Sequence, residues 1–142
     1  MKTVFRDADL FALIPQRPPI VMVDLLQNVT DSEADTGLQI KEDNIFVHNG
    51  QLQEPGLIEH IAQSAAAFAG FRGYAQGEEP KLGYIGELKR LFLYARPSAG
   101  KCLSTHLRVL GEAAGITLLA AEVRDGEDVV AAGQMKIFLE EN

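Results

Sequence analysis

A chain of 142 residues, 46% hydrophobic and 23% charged, is long enough for one domain with a full core and has the composition of an ordinary globular protein. The formal net charge of −7, with Lys89-Arg90 the only adjacent basic pair, excludes a nucleic-acid surface. The single Cys102 excludes an internal disulfide and a multi-cysteine metal site, and reads as a small apolar filler. No apolar run approaches membrane-spanning length, and the charged stretch from Met1 to Asp9 lacks a signal-peptide core, so a cytoplasmic location is expected.

In chain order, Asp7 to Ile14 reads as a short helix, capped by Asp7 or Asp9 and stopped by Pro15. Gln16-Arg17-Pro18-Pro19 is an extended connection, because residues before proline avoid the helical region. Ile20 to Val29 is rich in branched apolar residues and predicts a strand. Ala34 to Lys41 alternates weakly and predicts a second. Glu42 to Gln53 is a polar loop that carries Phe46, Val47 and His48.

An unusually apolar helix follows, from about Pro55 to Tyr74. Proline is harmless in a first helical turn, where its missing N–H would be unpaired anyway. Gly70 and Gly73 weaken its last turns, and Gly77-Glu78-Glu79-Pro80 is a break. Four strand-like segments come next: Leu82 to Ala95, Cys102 to Leu110, Ile116 to Arg124 and Val129 to Leu139. Leu103, Thr105, Leu107 and Val109 share one face of the second, and Asp125-Gly126 is a hairpin signal.

This order, with one long apolar helix among six strands, predicts a single α+β domain over residues 1–142. An antiparallel sheet must curl around the helix, because nothing else in the chain can bury it. That arrangement is the hotdog fold. A doubly wound sheet is excluded, since no helices separate the last four strands. The helix carries one feature out of place. Glu59 and Gln63 stand one turn apart on the same face of a segment that is otherwise apolar almost all round. A carboxylate there is hydrogen-bonded, protonated or in use; the alternative is a narrow solvent stripe.

Two separated segments resemble a known family. Leu13-Ile14-Pro15-Gln16-Arg17-Pro18-Pro19, followed by Ile20 to Val23 and Asp24, resembles the N-terminal signature of hotdog 3-hydroxyacyl-acyl-carrier-protein dehydratases. Pro55-Gly56 followed by Glu59, Ala62 and Gln63 resembles their helix motif. The likeness is strongest to the divergent dehydratase-like branch of aryl-polyene and flexirubin-type pigment clusters. A Gly-x-aromatic-x-Gly segment there is similar to Gly83-Tyr84-Ile85-Gly86.

The resemblance implies dehydration of a carrier-bound 3-hydroxyacyl thioester to the trans-2-enoyl thioester. Glu59 matches the acid that protonates the leaving hydroxyl. Gly56 matches the residue whose N–H faces the thioester carbonyl, and Gln63 would orient Glu59 at the substrate. His48 is the histidine kept from the family's loop, and is either the base or an exposed loop residue. Of the other histidines, His60 reads as packing at a subunit interface and His106 as structural or exposed. The resemblance further implies no metal or redox cofactor. The substrate would be carried on the phosphopantetheine of an acyl carrier protein or on CoA, and sites would be shared in a homodimer or larger homo-oligomer. Thioester hydrolysis and a non-catalytic acyl-binding subunit are the alternatives.

Overall fold

The computed structural model describes residues 4–77 and 83–139. Two short elements come first, strand β1 (Phe5–Arg6) and a 3-10 helix (Asp7–Ala12). Strands β2 (Leu25–Gln27) and β3 (Glu33–Gln39) precede a small hairpin, β4 (Val47–His48) and β5 (Gln51–Leu52). Helix α1 runs from Glu54 to Ala75. The long strands are β6 (Gly83–Leu93), β7 (Cys102–Ala113), β8 (Ile116–Asp125) and β9 (Asp128–Leu139). Seven of the nine strands form one antiparallel sheet in the order β1-β2-β3-β7-β8-β9-β6.

The sheet wraps α1, which touches β2, β3, β6, β7, β8 and β9. Leu57, Ile61, Ala65, Ala67 and Phe68 of the helix are buried against Leu38, Leu103, Leu107, Leu119, Val123 and Met135 of the sheet. Full burial of a side chain such as Phe68 is worth about 1.5–3 kcal/mol. Phe71 and Tyr74 close the far end, each edge-on to Phe5. Gly70 is required there, because a Cβ at that position would lie 2.4 Å from the carbonyl oxygen of Leu13.

The strand predicted over Ile20–Val29 is mostly absent. Only Leu25–Gln27 joins the sheet, and the residues before it form an extended strap that follows a cis Pro18–Pro19 peptide. The physical reason is the destination of the strap's backbone groups. The Ile20 carbonyl and both backbone groups of Met22 bond to side chains of α1 rather than to a neighbouring strand. Arg17 of the N-terminal signature closes the turn before it. Its guanidinium donates to the carbonyls of Phe11, Ile14 and Gln16 and lies over the Phe11 ring.

Cys102 corrects the reading as a filler. It is exposed, because β7 alternates with Leu103, Thr105 and Leu107 inward and Cys102, Ser104 and His106 outward. The Gly83–Gly86 segment opens β6, and a register shift between Ile85 and Glu87 falls at Gly86. A glycine suits that irregularity, since a Cβ there would overlap the Phe138 ring. Leu82, the predicted start of this strand, and Glu78 to Pro80 of the predicted break lie outside the described residues. β6 is an edge strand, hydrogen-bonded within the protomer to β9 alone. Among the described residues, no helix is long and apolar enough to cross a membrane.

Candidate active site

Glu59 and Gln63 do share a face of α1, and that face meets the strap. The Gln63 side chain is buried, with every polar atom engaged. Its Oε1 accepts from the Met22 N–H at 2.6 Å, and its Nε2 donates to the Ile20 carbonyl and to Glu59 Oε2, both at 2.9 Å. Glu59 itself is half-buried, so one carboxylate oxygen is held by Gln63 while the side chain retains a path to solvent or substrate. Gln63 therefore acts on Glu59 and on the strap. Its amide oxygen and nitrogen are both engaged within the chain.

His60 is the residue that sequence reasoning misplaced. It is not at a surface but wholly buried, with Nδ1 2.7 Å from the Met22 carbonyl oxygen and Nε2 2.7 Å from Thr105 Oγ1. A carbonyl can only accept, so Nδ1 carries the hydrogen, and Nε2 accepts the threonine hydroxyl. Burial pushes the His60 pKa below its usual value, outweighing the Met22 hydrogen bond and the attraction of Asp24, so the ring is neutral. One turn on, Ser64 accepts a hydrogen bond of 2.7 Å from Thr36. Thr36 and Thr105 are cross-strand partners on β3 and β7. The sheet thus presents a threonine pair to residues i and i+4 of the helix, and all four polar side chains are buried and bonded. The signal in the sequence was the pair of inward positions Thr36 and Thr105, each legible only as an alternating strand residue.

The hairpin β4–β5 sits on the helix N-terminus. The Gln53 N–H donates to the Phe46 carbonyl at 2.9 Å, and the Gln53 side chain donates to the carbonyls of His48 and Gln51. Gly56 is explained by this docking, since a Cβ would lie 2.6 Å from Leu52 Cδ1 and 2.7 Å from Phe46 Cβ. Its N–H is 2.9 Å from the Gln53 carbonyl oxygen. Packing beneath Phe46 and Leu52 accounts for a glycine at this position, beside the carbonyl-facing N–H that the resemblance implies for Gly56. His48 stands next to the hairpin turn at Asn49-Gly50, with an exposed imidazole that makes no hydrogen bond or ion pair among the described residues. The hairpin docks on the first turn of the helix, and among the described residues no hydrogen bond or ion pair joins His48 to Glu59 of the same chain.

The surrounding charges are mostly committed. Arg96 forms a bidentate pair with Glu54 at the first turn of α1, and this partner holds the Glu54 carboxyl below its usual range. Lys89 lies 3.9 Å from Glu87. Arg90 has no ion-pair partner among the described residues. His106 is exposed on the outer sheet face, 2.7 Å from Asp35 and 3.0 Å from Glu33, within the reading of it as structural or exposed. Its pKa is raised, chiefly by the hydrogen bond to Asp35. No group of three or more His, Cys, Asp or Glu among the described residues could hold a metal ion.

A helix wrapped by one antiparallel sheet, with a single ionisable carboxyl on its strap face, defines a hotdog-fold protein. The solved structures agree on that fold. The dehydratase heterocomplex ApeI:P from Xenorhabdus doucetiae is 17% identical at a TM-score of 0.85, over 94% of this chain and 91% of that one. The sigma28-regulated virulence protein Cj0977 from Campylobacter jejuni is 12% identical at 0.71, over 92% and 85%. A hypothetical thioesterase with coenzyme A from Streptococcus pneumoniae is 8% identical at 0.67, over 82% and 85%. No curated protein matches the sequence. The family model for ApeP-like proteins, described as ApeP dehydratase, matches residues 8–142. The chain belongs to the ApeP-like dehydratase family, and its activity is that of a dehydratase, a lyase that removes water.

Proposed function

We propose that Glu59 is the general acid in dehydrating a carrier-bound 3-hydroxyacyl thioester of polyene-type biosynthesis to the trans-2-enoyl thioester. The observation that carries this role is the hydrogen bond from Gln63 to Glu59 Oε2, which fixes one carboxyl oxygen and leaves the other for substrate. A base removes the C2 proton, the electron pair forms the C2–C3 double bond, and the C3–O bond breaks as Glu59 protonates the departing hydroxyl, which leaves as water. Hydroxide is a poor leaving group, so a positioned carboxylic acid is worth about 10²–10⁴-fold in rate. Proton transfers alone complete the reaction, so no metal or redox cofactor is invoked.

His48 is our candidate for the base. Its exposed position favours a site completed between subunits, where the hairpin of one chain faces Glu59 of another. The free edge of β6 supports assembly, because an unpaired strand edge seeks a partner. A homodimer is the simplest such assembly. The heterocomplex named for the Xenorhabdus relative supports a second reading, in which a different hotdog subunit supplies the base. An acyl carrier protein delivering the thioester on its phosphopantetheine, or free CoA, completes the proposal.

Mass spectrometry of a carrier-bound 3-hydroxyacyl substrate tests the reaction. Loss of water is expected; release of free acid would identify a thioesterase, and no reaction a binding subunit. Glu59→Gln keeps shape and hydrogen bonding but cannot deliver a proton, so turnover should fall about 10²–10⁴-fold. A near-native rate removes Glu59 from the mechanism.

A further inference from the structure

The Glu59 carboxyl ends a chain of hydrogen bonds that begins on the sheet, and chemistry fixes the direction of every link. The Met22 N–H can only donate, so the Gln63 oxygen must be the atom beside it at 2.6 Å. The Gln63 NH₂ group is then the part that faces Ile20 and Glu59. The Met22 carbonyl can only accept, so His60 Nδ1–H is the donor at 2.7 Å. His60 Nε2 is then the acceptor for the Thr105 hydroxyl at 2.7 Å. Met22, His60, Gln63 and Thr105 are all buried, so no solvent competes for these groups.

Resting on Glu59 as the acid, we infer that His60 is a positioning residue for it, acting through Met22 and Gln63. His60 grips the carbonyl of the one strap residue whose N–H Gln63 grips. The strap therefore cannot slide along the helix or rotate its peptide groups, and the Gln63 amide has one orientation. That orientation makes Glu59 Oε2 an acceptor. The proton of the carboxylic acid belongs on Oε1, the oxygen free to face the leaving hydroxyl. A histidine with hydrogen on Nε2 would set its Nδ1 lone pair against the Met22 carbonyl, two acceptors face to face, and release the strap.

Two variants separate positioning from packing. In His60→Asn the amide nitrogen falls near the place of Nδ1 and keeps the donor to Met22. In His60→Gln the amide falls near the place of Nε2 and loses it. Both remove the ring. His60→Gln is expected to lower kcat about 10- to 100-fold with KM little changed, as for a misplaced catalytic group. His60→Asn should stay within about threefold of native kcat, a loss under about 1 kcal/mol of transition-state stabilisation. Equal losses in the two variants, tracking their melting temperatures, reduce His60 to a structural group and overturn the inference. Native kcat in His60→Gln, with Glu59→Gln inactive, overturns this inference alone. Full activity in Glu59→Gln overturns it together with the acid assignment. Nitrogen-15 spectra of the unaltered protein test the same geometry without any variant. At neutral pH they should show a neutral His60 with its hydrogen on Nδ1; hydrogen on Nε2, or on both nitrogens, overturns the inference even if neither variant folds.

Discussion

Replacing Gln63 by Leu removes three hydrogen bonds at similar volume, and the three losses are unequal. The Met22 N–H sits at a residue with no exposed surface, and Leu offers it no acceptor. An orphaned buried donor costs about 1–3 kcal/mol. Ile20 is 39% exposed and Glu59 half-buried, so the Ile20 carbonyl and the carboxylate can turn to water, and their losses are small beside the first. Leu adds apolar contact, but a swap is neutral only when both partners become apolar, and the backbone N–H cannot. The expected destabilisation is therefore about 1–3 kcal/mol, dominated by one amide. Urea unfolding followed by far-ultraviolet circular dichroism should show a lower midpoint at unchanged slope, which reads a change in stability rather than in compactness. Turnover measured on the folded variant should fall as well, since Glu59 loses its anchor. A native midpoint would refute the reasoning: Met22 would have another acceptor, and the strap would not depend on the helix.

His48→Ala should abolish dehydration while moving stability by less than about 0.5 kcal/mol, because the imidazole is exposed; a native rate in the mass-spectrometric assay removes His48 as the base. Gly70→Ala should gain up to about 1 kcal/mol of helix propensity. Against that, its Cβ would lie 2.4 Å from a backbone oxygen, and overpacking of this kind costs about 1–3 kcal/mol. A lower melting temperature is expected, and an unchanged or higher one refutes the close approach. The two bonded histidines should tilt the pH dependence of stability in opposite senses. His60 has a lowered folded pKa, so its contribution is complete above the ordinary value of 6.5 and is lost as pH falls below it. His106 has a raised one, so its contribution is complete below 6.5 and is lost as pH rises through the folded value. His60→Asn should flatten the acid-side decline in unfolding titrations, and His106→Ala should lower stability at mildly acidic pH but not at alkaline pH; reversed slopes would refute the assignments.

The sequence by itself determined the architecture. One long apolar helix with no second long helix to meet it, among strands joined by turns, leaves a wrapped antiparallel sheet as the burial solution, and the fold adopts it. Local rules were also enough for the Glu59–Gln63 pair, because residues four apart on a helix share a face whatever surrounds them. Only the tertiary structure decided what each polar group faces. Ile20 to Val23 has the branched apolar content of a strand, yet the Ile20 carbonyl and both backbone groups of Met22 bond to Gln63 and His60, residues some forty positions away. No local propensity encodes a partner at that separation. The same holds for His60, whose neighbours are a strap carbonyl and a threonine on β7, and for the packing at Gly56, where Phe46 and Leu52 leave no room for a Cβ. Periodicity tells which side of an element is buried. It does not tell which donor will meet which acceptor there, because that depends on how the sheet curls around the helix and where the strap crosses it.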